Sequence, residues 1–394
     1  MVNFNVKGKV TLRVMGTSVT LLESIRQEAE KDLGIKLEFN VLDGVDAQRV
    51  GVMQNDTYDI YDQWFHNIDF VWPARSIQPI ELERIPLWEE VNELSKSVEH
   101  KPLYGERGAP INQLYVQHNG SLGPVVTSKI SMLPMTHNFD SFTYRSDRVS
   151  SGTPYETESW SWLLDNSLLG KVALPKDPTM GVIDTALAVS AAGLASFKDI
   201  GNLTLKEIDL LINILIEKKK EGHFKSFWSN VDEAANLIET GKVSAASIWS
   251  PSHVALKQTG LPVCLASPKE GYRAWCGGLA LSAKLDPCKL DASYDYLNWW
   301  LSGVPGSIMA RQGYYCSIPA RVRKYLSEAE WNYWYEGLEA TSDLLGPNGN
   351  VVVRKGEKRE GGSYAHRMQH IAAWNTVMDE HNYLVRRWND FMKI

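Results

Sequence analysis

Near the start of the chain two stretches alternate hydrophobic and polar residues, and a helical period lies between them. Val10-Thr-Leu-Arg-Val-Met15 alternates with a β-branched bias, and Lys36-Leu-Glu-Phe-Asn-Val-Leu42 alternates again. Between them Thr20 and Glu23 have the spacing of a capping box, opening an amphipathic helix that ends near Gly34. Strand, helix and strand in this order predict a βαβ unit and therefore a parallel pair. A further strand around Tyr58-Asp-Ile-Tyr61 leads into Asp62-Gln-Trp-Phe-His66. Ligands of open parallel sheets sit beyond the carboxyl ends of the strands. The loop after Met15, which carries Thr17, and the residues after Tyr61 are therefore the expected ligand walls.

The same grammar recurs further on. Lys171-Val-Ala-Leu-Pro175 reads as a short buried strand, and Thr204 with Glu207 as a capping box for a helix through Leu215. That helix closes on Lys218, Lys219 and Lys220 before Gly222, which suits the negative end of its dipole and reads as a solvated face. Asn230 caps a helix through Ile238, and Val243 to Trp249 forms a strand with Trp249 at its carboxyl end. From about Ser327 the pattern is aromatic and helical, opened by a third capping-box spacing at Ser327 and Glu330. It is interrupted by the turn Gly346-Pro-Asn-Gly-Asn350 before Val351-Val-Val353.

With 394 residues, two domains are expected rather than one core. A net charge of -6 with both signs scattered leaves no basic stripe for nucleic acid. No apolar run approaches the roughly 20 residues needed to cross a bilayer, so no membrane insertion is expected. The opening Met1-Val-Asn-Phe-Asn-Val has neither the charged nor the apolar region of a secretory signal. With the first strand beginning by about Lys9, the chain reads as a mature protein whose leader has been removed and a start Met added; a cytoplasmic chain is the alternative. Cys264, Cys276, Cys288 and Cys316 include no Cys-x-x-Cys pair and read as buried or half-buried free thiols, with no metal site expected. Nucleotide-binding, serine-hydrolase, zinc-protease and dinucleotide signatures are all missing.

From about Lys9 to Pro319 the order of elements and several motifs resemble the spermidine/putrescine-type periplasmic solute-binding proteins of ABC importers. Leu133-Pro-Met-Thr-His-Asn-Phe-Asp-Ser-Phe-Thr-Tyr144 with Asp147 resembles the family's first crossover strand. Ser159-Trp160, Gly170-Lys-Val-Ala-Leu-Pro175 and Asp177-Pro178 follow, then Phe227-Trp-Ser229, Gly241-Lys-Val243, Trp249-Ser250 and Pro268-Lys-Glu-Gly271 before Trp275. The resemblance implies an α/β, two-lobed type II periplasmic binding protein fold, a Venus flytrap with a crossover-strand hinge. It implies lobe 1 in residues 1–133, lobe 2 in 134–277, and a return of 278–394 to lobe 1 with C-terminal helices packing across the body. It also implies a periplasmic monomer that needs no cofactor, catalyses no reaction, encloses a small polar organic solute, and docks on the transmembrane subunits of an importer.

The departures bear on the solute. Polyamine binders hold ammonium groups with cleft carboxylates. One such acid lies two residues after the tryptophan that here is Trp275, where this chain has Gly277. Another follows the Asp-Pro pair, where Thr179 and Met180 stand, and the usual crossover tryptophan is His137. The candidate solute contacts are Thr17, Asp62, Gln63, Trp64, His137, Asp140, Thr179, Trp249, Ser250, Trp275 and Tyr314. Asp62 beside an aromatic suits a cationic or hydroxylated group. Trp249 and Trp275 match the family's stacking tryptophans, and core packing is the competing role for any Trp. Asp140 reads equally as a satisfied structural carboxylate, and Arg273 as a surface ion pair. Trp299, Trp300, Trp331, Trp334, Trp374 and Trp388 read as core. The alternative function is a cleft hydrolase with Asp62 and Asp140 as paired carboxylates.

Overall fold

The computed structural model describes residues 10–97, 102–105 and 107–394. The expected strand start at Lys9 and the chain's opening residues lie outside that range. The described residues fall into two compact units. One draws on Met1–His100, Ala109–Asn138 and Trp275–Ser327, the other on Lys101–Gly108, Phe139–Ala274 and Glu328–Ile394.

In the first unit the two alternating segments are parallel neighbours. Thr11–Gly16 pairs with Lys36–Val41 from Thr11 opposite Lys36 to Gly16 opposite Val41. Ile60–Trp64 flanks Thr11–Gly16 on its other side, also parallel, with Met15 opposite Tyr61. The helix Glu23–Leu33 buries Ile25, Ala29 and Leu33, one row at i, i+4 and i+8, which is the stripe a helix lays on a sheet. Gly34, in the left-handed region at φ 68°, ends it as expected. The residue preceding that helix is Leu22, without a side-chain cap, so the expected Thr20–Glu23 box does not form. Antiparallel to Ile60–Trp64 runs the later part of Tyr272–Ser282, with Leu279 opposite Asp62 and Gly277 opposite Trp64.

The second unit holds a five-stranded sheet in the order Phe224–Trp228, Val172–Pro175, Ala245–Ser247, Phe142–Arg145 and Val263–Leu265. The first three are mutually parallel, and Phe142–Arg145 runs antiparallel to both of its neighbours. The helix Leu205–Lys220 opens on the expected capping box: the Thr204 hydroxyl accepts from the Glu207 amide, and Glu207 accepts from Thr204. Asn230 caps Val231–Glu239.

The C-terminal segment corrects the expected division of the chain. Residues Glu328–Ile394 belong to the second unit, so 278–394 does not return whole to the first. The cause is pairing and burial. Ile371–Trp374 lies parallel to Tyr272–Ala274, and the helix His381–Lys393 seats Leu384, Trp388 and Phe391 in the core that Leu205–Lys220 also covers. The basic run is likewise more than a solvated face. Lys218 and Lys220 pair with Glu221 and Glu217, but the Lys219 ammonium donates to the carbonyls of Phe391 and Met392 at 3.0 Å each. The six tryptophans expected in the core are there, each under 10 % exposed, Trp374 on the strand Ile371–Trp374. All four cysteines are free; Cys288 is exposed, against expectation.

The chain passes between units on Leu133–Asp140 and again on Tyr272–Ser282, and every residue of both strands is buried. Charge on such strands must be matched inside. Arg273, 1 % exposed, donates from Nε to Asp184 at 2.7 Å and from Nη1 to Asn375 at 3.1 Å, with Asp140 at 3.8 Å. Ser247 donates to the other Asp184 oxygen at 2.5 Å. Burial opposes charge on Arg273, but the fields of Asp184 and Asp140 outweigh it and lift its pKa above the usual guanidinium range. The surface ion pair expected for Arg273 is thus an interior cluster. Arg273→Leu leaves two carboxylates uncompensated and is expected to lose about 3–5 kcal/mol in urea unfolding. Removing Asp184 as well, as Leu, is expected to recover part of that loss.

Candidate functional site

In the first unit the carboxyl ends of Thr11–Gly16 and Ile60–Trp64 lie side by side, so the turn that begins at Thr17 reaches Asp62. Their closeness depends on Gly16. A β-carbon there would sit 2.5 Å from the Asp62 carbonyl oxygen and 3.0 Å from its Cβ, so any other residue would push the strands apart. Around this point Thr17, Thr20, Asp62, Gln63, Trp64 and Trp275 line a small recess, about 10 Å³, room for about one water molecule. Gly277, where polyamine binders carry an acid, is also in its wall, and a carboxylate is absent at that position.

Asp62 dominates the recess. It is 3 % exposed, and one carboxylate oxygen accepts from the Thr20 hydroxyl at 2.9 Å. The other, Oδ2, has no hydrogen-bond partner among the described residues. Burial pushes the Asp62 pKa up, the Thr20 hydroxyl restrains the rise, and the result is about 7. A neighbouring donor points the other way chemically. Gln63 accepts from Asn67 at 2.9 Å through Oε1, while its amide nitrogen is buried without a partner. The recess therefore offers one acceptor able to carry charge, with Gln63 in its wall.

The tryptophans frame it. Trp275, 4 % exposed, meets Tyr314 edge to face at 5.3 Å, and Tyr314 is itself 1 % exposed, so this tyrosine buttresses Trp275 from within. Trp64 lies parallel to His66 with ring centres 5.8 Å apart. Its indole packs over Gly44, where a β-carbon would approach to 2.8 Å.

His137 is not among the lining residues. From its strand Met135 and Thr136 reach the recess, while the His137 ring stacks on Tyr315 at 6.1 Å. Burial lowers its pKa to about 3, so it is a neutral imidazole. Thr20, Met135 and Thr136 were missed from sequence. Thr20 had been assigned to a helix cap, and nothing in the pattern marks which side of a fully buried strand faces the recess.

In the second unit the remaining candidates take separate places. Asp140 is held by Arg273, which makes it a structural carboxylate. Thr179, in the first turn of the helix Pro178–Ala191, directs its amide and hydroxyl to its own cap Asp177, at 2.8 and 2.5 Å. Trp249 meets Trp228 edge to face at 5.0 Å, and its indole nitrogen donates to the Met180 sulfur at 3.1 Å. Ser250, 5 % exposed, is the first residue of the helix Ser250–Gln258.

Solved structures share the fold at low identity. The spermidine/putrescine ABC transporter substrate-binding protein PotD from Streptococcus pneumoniae superposes with a TM-score of 0.66 at 13 % identity over 98 % of each chain. The Tp0655 (TpPotD) lipoprotein of Treponema pallidum gives 0.66 at 9 % identity over 97 % of this chain and 98 % of its own. The Atu4243-GABA receptor gives 0.59 at 15 % identity over 98 % and 97 %. No curated protein sequence matches the chain significantly. Among the described residues no helix is long and apolar enough to cross a membrane. Residues 118–323, more than half of the chain, match one family along their length, and the protein belongs to the bacterial extracellular solute-binding proteins.

Proposed function

We propose that this solute-binding protein of an ABC importer takes a small organic cation whose single ammonium group enters the one-water recess to pair with Asp62, while the rest of the solute lies outside the recess against the half-buried Trp64. The observation that carries this reading is the unpartnered Asp62 Oδ2. A buried carboxylate oxygen without a donor is unfavourable in the empty protein and becomes favourable when a cation arrives. The Gln63 amide adds a site for an acceptor on the same solute, and the indoles supply the ring faces that alkylammonium groups prefer. A single charge is favoured over the two or more of a polyamine. Gly277 and Thr179 stand where the family has acids, and Asp140 is already matched by Arg273. Spermidine, putrescine and GABA, for which structural relatives are named, each carry an ammonium group, which agrees with an ammonium-bearing solute. The hydrolase alternative is set aside by the family and by the engagement of Asp140.

A thermal-shift screen of monoamines, diamines, amino acids, betaines, sulfonates and sugars tests the proposal. Monocationic compounds are expected to raise the melting temperature and to be recovered unchanged; stabilisation by sugars or sulfonates alone would overturn it. Trp275→Ala is expected to cut the shift by several degrees, and Asp62→Asn to abolish it.

Asp62→Asn also has a signature without solute. The folded-state pKa of about 7 lies above the ordinary aspartate value of about 3.9 in the unfolded chain. Between those values the folded protein holds a proton that the unfolded chain has released, so this group lowers stability as pH rises from about 4 to about 7. The Asn variant is expected to lose that decline and to melt higher than the parent at pH 8. Cation binding should show the opposite dependence, strengthening as Asp62 ionises across the same interval.

A further inference from the structure

Away from this recess, in the second unit, two histidines one helical turn apart place their rings side by side. His366 lies in the short helix Tyr364–Met368 and His370 two residues beyond its end, an i, i+4 spacing that sets both rings on one face. Their centres are 4.6 Å apart. His366 is exposed and its ring makes no hydrogen bond among the described residues; His370 is half-buried. The His370 Nδ1 is 2.8 Å from the His366 backbone carbonyl, which leaves Nε2 as its free nitrogen. A ring nitrogen tied to a carbonyl, leaving the other for a metal, is the arrangement that orients metal-ligating histidines.

The pair is held in place. Tyr155 packs against both rings, 4.1 Å from His370 and 4.9 Å from His366 between centres. Tyr155 adopts φ 61°, a conformation that bulky side chains rarely accept and that surrounding contacts must enforce. Those contacts are visible. Its amide donates to the Ser267 carbonyl at 2.7 Å, its hydroxyl donates to the Gly361 carbonyl at 2.7 Å, and the Tyr272 hydroxyl lies 2.8 Å away. From below, His370 leads directly into the strand Ile371–Trp374, and its carbonyl accepts from the Tyr272 amide at 2.7 Å. The buried Arg367 between the histidines is directed elsewhere, its guanidinium donating to the carbonyls of Phe139 and Glu360. The contacts that enforce the Tyr155 conformation also fix the two imidazoles it packs against.

We infer that His366 and His370 form a two-imidazole site for a divalent transition-metal ion of the copper and nickel class. Imidazole suits these ions, and their tetragonal geometry accepts two protein nitrogens with the remaining positions filled by solvent. Zinc is disfavoured, because a structural zinc site needs four protein ligands and no group of three or more histidine, cysteine or acidic side chains that could hold a metal occurs among the described residues.

Isothermal titration of the full chain with nickel chloride tests the site, followed by electron paramagnetic resonance of the copper-loaded protein. One equivalent of nickel is expected to bind the parent, with affinity reduced at least about tenfold in both His366→Ala and His370→Ala. His118→Ala, at an exposed histidine elsewhere, should leave it unchanged. The copper spectrum should show coupling to two nitrogens in the parent and one in either variant. Circular dichroism confirms that the variants are folded. Unchanged nickel binding in both variants, or a copper spectrum insensitive to them, overturns the assignment.

Discussion

A strand buried on both faces must satisfy from inside the protein every polar group it carries, and this constraint organises the molecule around Leu133–Asp140 and Tyr272–Ser282. Arg273 finds Asp184, Asp140 and Asn375; His137 stays neutral against Tyr315; Thr136 donates to the Tyr315 carbonyl at 2.8 Å. Polar residues on these strands are mostly committed before any solute arrives. The proposed recognition site lies on the parallel strands beside them, at their carboxyl ends, where Asp62 Oδ2 has no partner among the described residues.

Asp62 is where that freedom is concentrated. Burial raises the pKa of its carboxylate to about 7, so its ionised form is costly to the fold, and under the function proposed above a cationic solute would offset that cost. The close approach of Gly16 and the hydroxyl of Thr20 hold it in register while leaving one oxygen open. Sites of this kind, supported on one side and unanswered on the other, discriminate by charge more sharply than apolar contact alone, since a neutral isostere leaves the acid unmatched.

Much of the fold was legible because periodicity is local. The βαβ opening, the Thr204–Glu207 box, the Asn230 cap and the turn at Gly346 to Asn350 all depend on residues near in sequence. The losses came where a partner is distant. Thr20 has the spacing of a cap, but its hydroxyl is taken by Asp62, 42 residues away. Arg273 looks like a surface cation until Asp184, 89 residues earlier in an apolar helix, is known to meet it. Lys219 is one of three similar lysines, and only its position over the last helix separates it from its neighbours. Asp62, Gln63, Trp64 and Trp275 could be picked from strand ends and family spacing. The side chosen by His137 could not, because both faces of its strand are equally dry.

The parallel strand Ile371–Trp374 and the helix His381–Lys393 have a consequence for how the polypeptide reaches its native state. The second unit's hydrophobic interior stays open until the final stretch of chain arrives to roof it, and its first strands must wait through more than two hundred residues of synthesis. Such long-range closure slows folding and keeps unfinished chains sticky. In exported proteins, delay of this kind preserves the loose form that a translocation channel can thread.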